Sequence, residues 1–231
     1  MLPANSTELS GGSLARSRPL RVVIADDHPF YRDRLAIALR RSGLEVIGEV
    51  PDGLTAIDVA ETASPDIILM DLRMPLLSGI AATRRLAEVA PQRRIVAISA
   101  AALADEIADA ILWGADAYVA KDLPIQDVIG AIDAVAGGRV LLPLGIAQVI
   151  RRRVLGTADS GLSLVGAPLV RRELELLDRL AEGASITEIA AARSSPEDAV
   201  HEEVAAMVMK LRIEQRIQAA LGDTSEGQPS G

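Results

Sequence analysis

The sequence predicts an α/β fold, a five-stranded parallel, doubly wound sheet with helices on both faces, followed by a small all-α unit. Three observations predict it. Short apolar runs such as Val22–Ala25 and Ile67–Met70 alternate with helical stripes across residues 21–139, and unbroken runs of this kind mark parallel strands buried on both faces. Each run ends in polar groups: Asp26-Asp27, Asp71, Ser99 and Lys121. From Arg171 onward the apolar spacing becomes wholly helical.

The elements follow in order. Helical stripes fall at 30–41, 54–62, 80–89, 103–113 and 124–136, each after a strand, with breakers between them at Ser42-Gly43, Pro51-Asp52-Gly53, Ser64-Pro65, Ser78-Gly79, Pro91 and Gly137-Gly138. Residues 145–154 predict a connecting helix, and the Gly-, Ser-, Thr- and Asp-rich stretch 156–166 a flexible linker. The triplet Arg151-Arg152-Arg153 reads either as a phosphate contact or as a solvated helix face. In the second unit, Leu174, Leu177, Leu180 and Ala181 form a stripe that stops at Gly183. Ser185-Ile186-Thr187-Glu188 is a capping box. Ser195-Pro196 reads as a cap with proline at the first helical position, starting a helix whose stripe is Val200, Val204, Met207, Val208 and Leu211. A short last helix is expected at 216–221. The resulting division is a tail at 1–20, an α/β domain at 21–139, a linker with a helix at 140–166, a helical domain at 167–222 and a tail at 223–231.

Composition narrows the function. Of 231 residues 49% are hydrophobic but only 2% aromatic, so aliphatic contacts must build the core. Cysteine is absent, which excludes disulfides and thiolate metal sites and fits a cytoplasmic protein. No run of about eighteen apolar residues predicts a membrane span. The net charge of −8, with acids outnumbering bases in both halves, opposes general attraction to nucleic acid or anionic lipid.

Ligands in open parallel sheets bind beyond the carboxyl ends of the strands, so the acids at strand ends read as one site. Three carboxylates meeting in a crevice repel one another unless a cation neutralises them, and oxygen ligands with room for water suit Mg²⁺. Ser99 would add a hydroxyl donor and Lys121 a cation, the complement of a phosphate group. His28, beside the acids, reads as a surface or capping histidine, because Mg²⁺ favours oxygen.

Residues 21–139 resemble the receiver domain of bacterial response regulators, through Ala25-Asp26-Asp27-His28-Pro29, Met70-Asp71-Leu72-Arg73-Met74-Pro75 with Gly79, and Gly114-Ala115-Asp116-Ala117-Tyr118 before Lys121-Asp122. The resemblance implies strand order 2-1-3-4-5 and makes Asp71 the phosphoacceptor. Mg²⁺ would bind Asp27 and Asp71 directly, Asp26 mostly through water, and the backbone carbonyl of Arg73. Lys121 and Ser99 would hold the phosphoryl oxygens, and Tyr118 would reorient on activation. The phosphoryl source would be a sensor histidine kinase. An aspartyl phosphatase of similar fold would need an acid two residues after the nucleophile; Arg73 stands there, so no enzyme is expected.

Residues 167–222 resemble the LuxR-type helix-turn-helix output domain of the NarL/FixJ group, through Arg172-Glu173, Leu180-Ala181-Glu182-Gly183, Glu188-Ile189-Ala190, Val200, Lys210-Leu211 and Gln218-Ala219-Ala220. That resemblance implies transcription regulation and a homodimer, or a heterodimer with another regulator. The exposed face of the recognition helix departs from the pattern: Asp198, Glu202 and Glu203 stand where bases and amides would meet DNA, and carboxylates there oppose the phosphate backbone. DNA contacts would fall to Arg171, Arg172, His201, Lys210 and Arg212. The alternative is a signalling adaptor whose helical domain binds protein. Trp113 reads either as a partner anchor or as a packing residue.

Overall fold

The computed structural model describes residues 18–156 and 167–225. A parallel sheet of β1 (Arg21–Ala25), β2 (Glu45–Val50), β3 (Ile67–Asp71), β4 (Arg94–Ser99) and β5 (Ala117–Ala120) runs in the order β2-β1-β3-β4-β5. Between and after the strands lie α1 (Pro29–Arg41), α2 (Gly53–Ala63), α3 (Gly79–Val89), α4 (Ala104–Trp113) and α5 (Ile125–Ala136). The alternation read from the apolar runs is therefore the fold. Every residue of β3 is buried, whereas β2, at the edge, is half-buried or exposed at every residue but Val50.

Local chemistry sets the helix starts. Asp52 accepts Thr55 N–H at 2.9 Å to cap α2, and Ser78 accepts Ala81 N–H at 3.3 Å to cap α3. Behind Ser78, a Cβ on Gly79 would lie 1.9 Å from the carbonyl oxygen of Asp71, so only glycine lets α3 start against the end of β3.

Beyond the sheet come α6 (Leu144–Val154), α7 (Arg171–Ala181), α8 (Ile186–Arg193) and α9 (Glu197–Ser225). The expected capping box closes α8: Ser185 Oγ accepts Glu188 N–H at 3.2 Å and Glu188 accepts Ser185 N–H at 2.8 Å. Gly183, at φ +95°, ends α7 as its position suggested. Two expectations are corrected. Ser195 does not cap the next helix; its buried hydroxyl has no partner, and the chain enters α9 from Pro196. Nor is 216–221 a separate helix, because nothing between Glu197 and Leu221 breaks the helix and α9 runs straight through it.

Of the expected tails and linker, residues 1–17, 157–166 and 226–231 lie outside the described residues. At their edges, Arg18 already grips Asp66 in a two-pronged ion pair at 2.6 and 2.8 Å, and α9 continues through 223–225.

Two apolar clusters fill the molecule. One lies between the sheet and the α1 and α5 face, around Ile24, Leu35, Leu69, Ile98 and Ile132. The other starts under α2, α3 and α4 and continues through Val140, Ile146 and Ile150 into Leu176, Ile189, Val204 and Leu211. The helical half thus shares a core with the α4 face of the sandwich. Its docking includes Arg212, 6% exposed, which donates to the carbonyls of Ile111 (2.9 Å) and Ala115 (2.6 Å) and to Asp116 (3.2 Å).

Candidate functional site

The strand register explains the convergence. Ala25 of β1 pairs with Met70 of β3, Asp71 with Ile98 of β4, and Ser99 with Ala120 of β5, so the residues leaving these strands emerge side by side. One ligand atom from each of Asp26, Asp27, His28 and Asp71 falls within 4.8 Å of the others. Lys121 Nζ lies 2.7 Å from Asp26 Oδ2 and 2.6 Å from Asp71 Oδ2, in a pocket where Asp26 is wholly buried. Residues far apart in the chain meet, as the strand-end acids implied. Ser99, 1% exposed, ends β4 beside them.

Backbone donors fix the carboxylates. His28 N–H donates to Asp26 Oδ1 at 2.9 Å, and Arg73 N–H donates to Asp71 Oδ1 at 3.1 Å. Burial lifts the Asp71 carboxyl above the ordinary carboxylate range, opposed by Lys121 and by the Arg73 amide. The neighbouring charge of Asp26 adds to the effect of burial.

Two of the carboxylate oxygens bear on a cation. Asp26 Oδ2 and Asp27 Oδ1 each have a nitrogen at 2.7 Å, Lys121 Nζ and His28 Nδ1, yet neither accepts an aligned hydrogen bond. Both oxygens therefore keep acceptor capacity for a further partner. Oxygen ligands of this number and spacing fit a small hard divalent ion.

His28 occupies the N-cap position of α1, but its side chain makes no capping bond; the imidazole, largely exposed, turns to Asp27 instead. Tyr118 is half-buried, and its hydroxyl is pushed up by burial and then by the charges of Asp122, Asp71 and Glu106. Tyr31 is the site residue that sequence reasoning missed. Its ring centroid is 4.9 Å from Lys121 Nζ, and burial followed by Asp26 and Asp71 pushes its hydroxyl up to about 12. Its place in the first turn of α1, after the acid pair, was the available signal.

Four of the five basic DNA candidates are engaged by acids and the fifth, His201, is half-buried. Arg171 pairs with Glu175 at 3.0 Å, Lys210 with Glu173 at 2.8 Å and Arg172 with Glu203, which also takes Arg193 at 2.8 Å. Arg212 is buried against the sandwich, so in this arrangement it cannot reach a phosphate backbone. His201 is half-buried, and burial, then Arg139, holds its imidazole below the ordinary value and so neutral at pH 7. Of the acids, Asp198 pairs with Arg139 at 2.7 Å and Glu202 stays exposed. Trp113 is 8% exposed beneath the guanidinium of Arg84, so it packs inside rather than anchoring a partner. None of the described helices is long and apolar enough to cross a membrane.

An acid pocket beyond the carboxyl ends of a β2-β1-β3-β4-β5 sheet, with a lysine across it, defines a receiver. Residues 22–133 match the response regulator receiver domain. The chain is 31% identical to the transcriptional regulatory protein LnrK of Bacillus subtilis, over 87% of this chain and 95% of that one. It is 28% identical to the nitrate/nitrite response regulator protein NarL of Escherichia coli, over 90% and 96%. Among solved structures, a LuxR-family two-component response regulator from Aurantimonas is similar at 30% identity and TM-score 0.53, over 59% of this chain and 99% of that one. The RcsB response regulator of Salmonella typhimurium shares the fold through the helical half, at 22% identity and TM-score 0.53 over 84% and 92%. The chain belongs to the response regulators, and within them to the NarL/LuxR type, whose relatives are transcriptional regulatory proteins.

Proposed function

We propose that Asp71 accepts a phosphoryl group from a sensor histidine kinase and that the modified receiver controls transcription through the helical half. The observation that carries this is the Lys121 ammonium 2.6 Å from Asp71 in a buried acid pocket. An Asp71 carboxylate oxygen attacks phosphorus, the P–N bond to the donor imidazole breaks, and the nitrogen keeps the bonding pair. Lys121 and Ser99 then hold phosphoryl oxygens, and Tyr118 turns toward the space Ser99 leaves. Asp26, Asp27, Asp71 and the Arg73 carbonyl would hold Mg²⁺, which supplies charge neutralisation at the transferring group. With Mg²⁺ and acetyl phosphate, wild type should gain the mass of one phosphoryl group and Asp71→Ala should not. Equal labelling of both removes Asp71 from the role.

A second reading, an adaptor whose helical domain binds protein, is favoured by one observation. The candidate DNA cations Arg171, Arg172 and Lys210 are each paired with a glutamate, and Arg212 is buried. An anisotropy titration against random duplex at low salt separates the two readings. Binding that falls steeply with salt supports the transcriptional reading, and no binding at high protein concentration supports the adaptor. For self-association, Met209, Ile213, Ile217 and Leu221 line one exposed face of α9 at four-residue spacing.

A further inference from the structure

The Lys121 ammonium is held by two acids and by one ring. Nζ donates to Asp71 Oδ2 at 2.6 Å and lies 2.7 Å from Asp26 Oδ2. Both acids belong to the cluster whose ligand atoms fit a divalent ion, and Asp71 is also where a phosphoryl group would arrive. A cation entering that cluster draws on the same oxygens and repels the ammonium, so both ion pairs weaken just when the lysine is needed. The face of Tyr31 is different. Its centroid is 4.9 Å from Nζ, and a ring face attracts a cation through its quadrupole, most strongly where water is excluded. The Lys121 side chain is only 8% exposed. A hard divalent ion takes oxygen ligands, so it does not compete for the ring face.

The ring is fixed where it stands. Tyr31 lies in the first turn of α1, which Pro29 opens just after the acid pair. The next residue, Arg32, donates a guanidinium N–H to the carbonyl of Asp26 and so ties this turn to the end of β1. Tyr31 is half-buried and packs against the apolar cluster on the α1 and α5 face, whereas its neighbour Phe30 is 88% exposed. Aromatics are only 2% of the chain and aliphatic side chains fill its core, so packing alone did not call for a ring at this position.

We propose that Tyr31 is a positioning residue for phosphoryl transfer: its ring face keeps the Lys121 ammonium beside Asp71 when a divalent cation occupies the acid cluster. The proposal rests on Asp71 being the phosphoacceptor. Lysine is a point charge on a flexible four-carbon stem. Once its carboxylates turn to another cation, only a partner outside the cluster keeps that stem folded into the pocket. Without the ring the ammonium swings toward water, and the transferring phosphoryl group loses a cation that must already be in place as charge develops. A desolvated contact of this kind corresponds to about a tenfold change in rate.

The composition makes the test direct. Lys121 and Lys210 are the only lysines, so ¹³C-lysine labelling of the full chain gives one signal set from the pocket and one from the helical half, where Lys210 pairs with Glu173. The paired ε-protons of a held lysine differ in chemical shift, and those of a freely turning one coincide. In wild type the Lys121 pair should be distinct and shifted upfield by the ring, both without metal and at saturating Mg²⁺. In Tyr31→Leu it should be distinct without metal, when the ion pairs hold the ammonium, and coincide once Mg²⁺ is added. Tyr31→Phe keeps the ring face and should follow wild type. Phosphorylation by acetyl phosphate, followed by intact mass, should slow about tenfold in Tyr31→Leu but not in Tyr31→Phe, at an unchanged half-saturating Mg²⁺ concentration. A wild-type Lys121 pair that merges on adding Mg²⁺ overturns the proposal, as does Tyr31→Leu phosphorylated at the wild-type rate or Tyr31→Phe as slow as the leucine variant. A half-saturating Mg²⁺ concentration that rises as the rate falls also overturns it, because displaced carboxylates then account for the loss. Should Tyr31→Leu fail to fold, pentafluorophenylalanine at position 31 decides the matter. It keeps the shape of the ring and reverses the charge of its face, so it should show the slowing expected of leucine; a rate equal to that of Tyr31→Phe overturns the proposal. If wild type takes up no phosphate, the acceptor reading fails; the positioning is then judged on the lysine signals, where a Tyr31→Leu pair that stays distinct with Mg²⁺ overturns it.

Discussion

Replacing Lys121 by methionine tests whether charge compensation holds the acid pocket together. The ammonium is the cation that bridges Asp26 and Asp71, whose side chains are 0% and 3% exposed. Removing one partner of a buried ion pair costs about 3–5 kcal/mol, because the group left behind is both desolvated and uncompensated. Asp26 would keep the His28 amide and Asp71 the Arg73 amide, which places the expected loss near the lower end, about 3 kcal/mol. With a urea dependence of about 2 kcal/mol per molar, the unfolding midpoint of metal-free protein should fall by about 1.5 M. Circular dichroism read against urea measures this directly. Millimolar Mg²⁺ should restore more stability to the variant than it adds to wild type, since the ion supplies the missing positive charge. A metal-free midpoint within about 0.3 M of wild type, roughly 0.6 kcal/mol, would refute the reasoning.

Three further outcomes are expected. Burial raises the Asp71 carboxyl in the folded protein, so as pH rises the unfolded chain releases this proton first, and stability is lost from the ordinary carboxylate range up through the raised folded value. Asp71→Asn should therefore be more stable than wild type at pH 7 without metal and lose less stability across that window; a pH-stability curve that superimposes on wild type contradicts the assignment. Arg212→Met should loosen the docking of α9 by about 2–4 kcal/mol, less than a bare buried charge would imply because Asp116 keeps the Ile95 amide at 3.1 Å. Hydrogen exchange at α9 amides should accelerate by about a hundredfold, and unchanged protection there would show the contact to be idle. Glu203→Gln releases Arg172 and Arg193, so duplex binding should tighten and its salt slope steepen by about one to two, at roughly 0.9 per phosphate contact. An unaltered slope would mean that these arginines do not face nucleic acid.

The strands and the pocket were legible because both are written locally. An apolar run that stops at an acid marks a buried strand and the position of its carboxyl end, and a parallel sheet brings such ends together without further instruction. Asp26, Asp27, Asp71, Ser99 and Lys121 could be placed together on that ground alone. The separate helix expected at 216–221 needs a break before it, whereas the residues from Arg212 to Leu221 contain neither glycine nor proline, and the helix continues.

The partners of charges were not legible. Arg212 meets Asp116 across 96 positions, and Arg153 meets Asp105 and Asp109 across 48 and 44. Nothing in the local pattern marks such pairs, because apolar periodicity reports which face is buried and not what lies against it. Glu203 reads from sequence as repulsion toward DNA; in the folded chain it pairs with two arginines. Sequence alone determined the strands, the helices up to the start of α9 and the convergence of acids at Asp71. Tertiary structure decided which guanidinium reaches which carboxylate, since Coulomb attraction depends on distance through space, and only the packing of α6 and α9 on α4 sets that distance.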